Sequence, residues 1–229
     1  MEITVVLTPD LLATKFHFPS SATHGVQRSQ LAEKLNEGLA LQRKVTLVSA
    51  PAGFGKTTCV SEWVRQVDGR RAAWLSLDSA DDDAARFFSY FIAALQKAGL
   101  NIGQEIEGVL RAGQLPPAEV ISTTLVNDTL SPGSGREGAD ERGCLLILDD
   151  FHVIENPVIL RFLEGLIDNL PAQLHLILIT REDPPLPLAR LRANNHLTEI
   201  RAGDLRFDAA EAHYFLNERL ALSLSQTDI

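Results

Sequence analysis

"VTLVSAPAGFGKTT", residues 45–58, decides how the rest of the chain is read. A β-branched apolar run ends in a glycine-rich turn. The turn leads into "KTTCVSEWVRQV", residues 56–67, where Val60, Trp63, Val64 and Val67 resume helical spacing. Strand, loop and helix in that order let successive backbone N–H groups converge on phosphate oxygens, and the helix N-terminus adds positive potential. Gly53 and Gly55, on either side of Phe54, permit the tight backbone. Lys56 is expected to reach β- and γ-phosphates, Thr57 to ligate Mg²⁺ and Thr58 to contact an α-phosphate. Ala50 stands where the usual pattern has its first glycine. That departure lies at the start of the loop, away from the Lys-Thr end, and Pro51 offsets it by fixing the turn.

A second stretch, "LLILDD" at residues 145–150, ends a buried apolar run in two carboxylates. An Asp at the carboxyl end of such a strand holds Mg²⁺ through water, and a second acid orients or deprotonates an attacking water. Asp149 is thus the expected metal residue and Asp150 the expected base. Alone, an apolar strand closed by "DD" more often caps the next loop; beside the glycine-rich loop it completes a site. A third strand, "LHLILIT" at residues 174–180, is followed by Arg181, a guanidinium suited to a planar contact with a γ-phosphate or to a salt bridge with Glu182 or Asp183.

Near-continuous apolar strands alternate with helical patterns through the chain, which argues a parallel sheet covered on both faces. Strands are expected around 44–50, 71–78, 144–150, 173–183 and 195–202. Helices are expected over 26–42, 56–67, 81–99, 117–130, 157–171 and 208–225. Residues 1–25 read as an arm, and "SPGSGREGADERG" at 131–143 as a Gly- and charge-rich surface loop. "DPPLPLARLR", residues 183–192, reads as a rigid connection into a short helix bearing Arg190 and Arg192, which would approach phosphates from a lid side.

Composition sets the outer limits. The chain of 229 residues is 45% hydrophobic, enough for one large α/β domain or a domain with a small appendage. Its 21 basic and 30 acidic side chains give a formal net charge of −9, which argues against sequence-independent attachment to nucleic acid or anionic lipid. The two cysteines, Cys59 and Cys144, have no metal or disulfide spacing and read as reduced core thiols, and the six histidines have no ligand spacing. With no apolar run long enough to span a bilayer and no leader pattern, the expected location is the cytoplasm.

With these residues in place, the chain resembles the ATP-binding module of the large LuxR-type transcription regulators similar to MalT, within the signal-transduction ATPases with numerous domains (STAND). The resemblance runs through "TKFHFPSSATHGVQRSQLAEKL", the phosphate loop, "AAWLSLDSADDDAARFFSYFIAAL", "LLILDDFHVI" and "LHLILITREDPPLPLARLRANNHLTEIRAGDLRFDAAEAHYFL". It implies a P-loop NTPase with strand order 5-1-4-3-2. It also implies a core over 26–204, a helical lid beginning at 205–229, an adenine pocket lined by Val26 and Arg28, and Arg181 as the arginine after the fourth strand. In such a regulator, ADP would favour a closed monomer and ATP a self-associating form, and slow hydrolysis would reset the two. DNA would be bound through a C-terminal helix-turn-helix absent from these residues. Two other readings stand beside this one. The first is a P-loop kinase passing a phosphoryl group to a small molecule under an arginine-bearing lid; the second is an interaction module with a vestigial loop.

Overall fold

The structure, a computed structural model, describes residues 11–19, 26, 28–67, 69–131 and 143–225. Of the expected arm, residues 1–10 and 20–25 lie outside the described residues, as do 132–142 of the Gly-rich loop.

Five strands form one sheet: β1 (Val45–Ser49), β2 (Arg71–Ser76), β3 (Cys144–Asp149), β4 (Leu174–Thr180) and β5 (Leu197–Arg201). All neighbours pair in parallel, in the order β2-β3-β4-β1-β5, which is the expected order read from the other edge. Every residue of β1, β3 and β4 is buried, as a parallel sheet covered on both faces requires.

The period of two divides each strand between two cores. Val45 and Leu47, Leu146 and Leu148, and Leu176 and Leu178 enter one apolar cluster; Val48, Leu145 and Ile147, and Ile177 and Ile179 enter the other. The first cluster is covered by α3 (Ala84–Lys97), α5 (Ala118–Leu130) and α6 (Pro157–Asp168). There Phe162 meets Phe88 and Phe91 edge-on, with ring centroids 5.0 and 5.2 Å apart. The second cluster is covered by α1 (Ser29–Ala40) and α2 (Lys56–Gln66), joined by a hydrogen bond from Trp63 Nε1 to Asn36 Oδ1 of 2.9 Å. α1 approaches β5 so closely that a Cβ at Gly38 would collide with the Thr198 hydroxyl.

Several boundaries differ from the expected ones. α4 (Gln104–Arg111) was not anticipated; it has eight residues and buries only Ile106, too little for a periodic signal. β3 ends at Asp149, within the expected aspartate pair, and Asp150 leaves it in left-handed backbone (φ 57°). β5 is followed by α7's counterpart on the other flank: α7 (Leu188–Ala193) precedes the strand, and the four-residue α8 (Ala202–Leu205) follows it. The expected helix over 208–225 breaks into α9 (Ala209–His213) and a π-helical stretch, Tyr214–Arg219. Beyond it the Asn217 side chain bonds both the carbonyl and the amide of Leu224, at 2.8 and 2.7 Å, turning the chain back. Tyr214, Phe215, Leu220 and Leu222 are exposed, so little packing holds this piece in a regular helix. Both cysteines are free and buried, and burial pushes their thiols up, to about 11 for Cys59 and about 12 for Cys144. No described helix is long and apolar enough to cross a membrane.

A histidine sits inside the sheet. His175 of β4 is 4% exposed; its Nδ1–H donates to the Arg43 carbonyl (2.7 Å), which leaves Nε2 to accept from the Thr46 hydroxyl (2.8 Å). Burial pushes the ring down from 6.5 to about 4, against the Arg43 carbonyl and with help from Arg70. The unfolded chain therefore binds a proton at a pH where the folded one refuses it. Stability from this ring is fully present above pH 6.5 and is lost as pH falls toward 4. Melting curves between those limits should fall more steeply for the wild type than for His175→Gln, by of order 3 kcal/mol. Parallel curves would mean that the ring takes up its proton in the folded sheet without penalty.

Candidate nucleotide site

The sheet direction puts the carboxyl ends of all five strands on one edge. In register, Ser49 faces Thr180 on one side and Arg201 on the other, and Ser76 faces Asp149. The chain leaves β1 through Ala50, which is buried and donates its N–H to the Thr180 carbonyl (3.3 Å). Gly53 and Gly55 then take left-handed backbone, φ 85° and 74°. Neither would meet any atom within 4 Å if given a Cβ, so the dihedral angle and not space demands glycine there. Phe54 packs partly buried against the α1–α2 core and anchors the loop from beneath.

α2 starts at Lys56, and its first amides face the loop because no preceding turn can accept from them. Lys56 is 8% exposed and lies back across the loop, its Nζ donating to the Pro51 carbonyl (3.0 Å). Burial holds this ammonium below the usual lysine value; Asp150 pulls it up, Arg181 pushes it further down and Asp149 pulls it up again. The four groups thus share one electrostatic neighbourhood. Thr58, by contrast, points to solvent.

Asp149 is the most constrained member. Its Oδ1 accepts from the Thr57 hydroxyl and from the Asp150 amide, each at 3.0 Å. Its Oδ2 takes no hydrogen bond among the described residues. At 4% exposure, burial pushes this carboxyl up to about 6; the Asp150 charge adds to the rise, while Thr57, the Asp150 amide and Lys56 oppose it. A carboxylate so placed is short of positive charge. The Asp149 carboxylate and the Thr57 hydroxyl would hold a divalent cation that supplied this charge, and two hard oxygen donors suit Mg²⁺. Among the described residues no three His, Cys, Asp or Glu side chains converge as a metal cage. A cation here would take its remaining ligands from phosphate and water, as Mg²⁺ does with nucleotides.

Asp150 is half exposed and takes left-handed backbone. Arg181 is exposed and makes no hydrogen bond or ion pair among the described residues, because Asp183 is taken by Arg201 and Arg192. The structure therefore brings Lys56, Thr57, Asp149, Asp150 and Arg181 to one edge.

Arg28 is placed differently from the rest. Val26 is buried just ahead of α1, but the Arg28 guanidinium turns toward the chain after β5. It donates to the carbonyls of Asp204, Leu205 and Arg206 at 2.9 to 3.1 Å and to Glu211 Oε1 at 2.9 Å, and stacks 5.1 Å from the centre of the Phe207 ring. Four of its five N–H groups are engaged there. Arg190 and Arg192 are likewise engaged, with Asp168 and Glu199. Sequence reading passed over two partners of the site: Glu211, whose tie to Arg28 spans 183 positions, and His152, which stands two residues after the aspartate pair.

No family model matches the chain. The HTH-type transcriptional regulators MalT of Klebsiella pneumoniae and Yersinia enterocolitica are each 32% identical to it, over 219 and 218 residues, 95% of this chain and 23% of the relative. The chain thus spans less than a quarter of the length of these curated relatives. Among solved structures, a Walker-type ATPase of Pyrococcus abyssi aligns with 88% of this chain and 61% of its own, at 13% identity and a TM-score of 0.49. C. elegans PCH-2 aligns with 85% of this chain and 47% of its own, at 11% identity and a TM-score of 0.43. The chain is a homologue of MalT along almost its whole length, and its strand, glycine loop, helix and paired aspartates form a MalT-like P-loop module.

Proposed function

We propose that this module binds ADP and Mg²⁺-ATP and works as a nucleotide-controlled switch within a cytoplasmic transcription regulator. The observation that carries the reading is the Thr57 to Asp149 hydrogen bond, which joins the helix after the phosphate loop to the end of a strand two places away in the sheet. That bond pre-arranges the hydroxyl and carboxylate that a nucleotide-bound Mg²⁺ needs. The similarity to MalT supports the regulatory setting. DNA contact belongs to a helix-turn-helix outside these residues, in keeping with the net charge of −9.

In this reading, the N–H groups from Gly53 to Thr57 and the Lys56 ammonium hold the phosphates, and Thr57 and Asp149 hold the cation. Mg²⁺ held by Thr57 and Asp149 would supply charge neutralisation to the phosphates. Asp150 takes the proton of the attacking water, Thr58 contacts the α-phosphate and Arg181 registers the γ-phosphate. Val26 and the Arg28 backbone line the base pocket. Residues 26–204 act as the core under an arm of residues 1–25, and 205–229 begin a lid. ATP favours self-association and ADP the closed form, each by its difference in affinity for the two states. A P-loop kinase would need arginines free to close over the phosphates, whereas Arg190 and Arg192 are paired elsewhere.

Calorimetric titration of the chain with ADP and with ATP in Mg²⁺ should give micromolar or tighter binding that Lys56→Ala abolishes. A hundredfold excess of ligand over its Kd should raise stability by about 2.7 kcal/mol. Equal binding by the variant would refute the site. For the base, Asp150→Asn is cleaner than Asp150→Ala, because Asn tolerates the left-handed backbone that Ala resists. It should slow ATP hydrolysis by about 100-fold or more with the Kd nearly unchanged; a wild-type rate would remove Asp150 from this role. Replacement of Arg28 by Met should release residues 204–211, read as faster amide exchange there with α3 and α6 unaffected. Unchanged exchange would show that the guanidinium does not hold that segment.

A further inference from the structure

The loop after β4 is tied down by an ion pair that leaps a strand. β4 and β5 are not neighbours; β1 lies between them, and its last residue, Ser49, stands in register with Thr180 on one side and Arg201 on the other. Asp183, three residues beyond Thr180, is gripped by Arg201 from the far side of β1. The Arg201 Nη2 donates to Oδ2 at 3.1 Å and its Nη1 donates to Oδ1, a two-pronged contact. Arg201 first, and the Ser49 hydroxyl with it, hold this carboxyl below the usual carboxylate range against the effect of burial. Arg201 is itself braced by Glu199, whose Oε1 accepts from its Nε at 3.2 Å and whose two oxygens accept from Arg192 at 2.8 and 2.9 Å. The fork thus joins the loop after β4 to β5 where the chain leaves β1 for the phosphate loop.

Between these two anchors stands Arg181. The Thr180 hydroxyl donates to the Glu182 carbonyl at 2.8 Å, and past the fork Pro184 and Leu186 are buried. The turn is therefore fixed at both ends, by the sheet at Thr180 and by Arg201 at Asp183. Arg181 makes no hydrogen bond or ion pair among the described residues, although an acid stands two positions away, because Arg201 and Arg192 occupy that acid. It lies near enough to Lys56 to push that ammonium down. The Asp183 and Arg201 side chains are 46% and 35% exposed, and pairs so exposed contribute little to stability. What such a network can do is set the geometry of the turn.

We propose that Arg201 is a positioning residue for Arg181: its grip on Asp183 keeps that acid from pairing with Arg181 and sets the turn from which Arg181 reaches a γ-phosphate. The inference rests on the reading above in which Arg181 registers that phosphate. A planar guanidinium meets phosphate oxygens only in a narrow range of orientations, so a turn that has lost its far anchor, with a competing carboxylate set loose inside it, weakens the contact. ADP has no γ-phosphate and does not feel the change. A lysine at 201 restores the charge but not the two-pronged grip, since an ammonium is a point charge.

The test is calorimetric: Kd in Mg²⁺ for ADP and for the β,γ-imido analogue of ATP, which keeps the γ-phosphate and resists turnover. The chains compared are the wild type, Arg181→Ala, Arg201→Met, Arg201→Lys and the double variant of Arg181→Ala with Arg201→Met, with melting curves as the folding control. Arg181→Ala should loosen the analogue by about 10-fold and leave ADP unchanged. Arg201→Met and Arg201→Lys should each loosen the analogue by about 3- to 10-fold, again with ADP unchanged, and Arg201→Met should add nothing once Arg181 is gone. A general charge effect on the nucleotide persists in the Arg181→Ala background, so full additivity overturns the proposal. Wild-type affinity of Arg201→Met for the analogue overturns it too, as does an equal loss for both nucleotides, which marks damage to the phosphate loop. If Arg201→Met does not fold, Asp183→Ala breaks the fork from its other end and is judged by the same ratio of affinities. Arg181→Ala with wild-type affinity for the analogue, or a wild type that binds neither nucleotide, overturns the γ-phosphate reading itself and this proposal with it.

Discussion

Two strands that do not touch must end at the same place. β1 delivers the phosphate loop and β3 delivers the aspartate pair, but β4 lies between them, so no ladder bond joins their ends. The Thr57 to Asp149 hydrogen bond bridges that gap, and it works only because β3, β4 and β1 run parallel with their carboxyl ends level. That alignment needs both faces of the sheet covered, which is why helices of the two cores draw alternate residues from the same strands. The site is in this sense a product of the whole sheet.

The site also carries electrostatic tension that the protein alone does not relieve. Lys56 is held below its ordinary value and Asp149 above its own, both chiefly by burial. Each group is therefore less charged than it would be in water, though they lie in one neighbourhood. Phosphate oxygens favour the ammonium form and a divalent cation favours the carboxylate form, so an anion and a cation arriving together correct both. Such a pair would bind cooperatively by ordinary Coulombic means.

The termini of the described chain are drawn toward this architecture by ion pairs of uneven weight. Lys15 reaches Asp81, which is fully buried, and lies 4.9 Å from the centre of the Tyr90 ring, tying the strap at 11–19 to the end of β2. Arg28 and Lys34 hold residues 204–211, the first through a half-buried fork and the second nearer the surface, where a pair contributes less. Arg28 lies close enough to Cys59 on α2 to pull its thiol down against burial. The residue just before α1 thus binds the segment after β5 and acts electrostatically on the phosphate-loop helix.

The sequence by itself determined the elements whose signal is local. Apolar runs of four to seven residues marked the strands, Gly53 and Gly55 marked the loop, and a pair of carboxylates marked the end of β3, because burial on both faces and left-handed backbone restrict residue choice at each position. Strand neighbours were reached through family resemblance, since an apolar run records that both faces are covered but not by which strand. Tertiary structure alone decided that Arg28 spends its side chain on residues 204–211, that α4 exists on one buried isoleucine, and that the final helix stops short. Each of these depends on a partner distant in sequence or on a packing surface, and a hydrogen bond across 183 positions leaves no period for a reader to find.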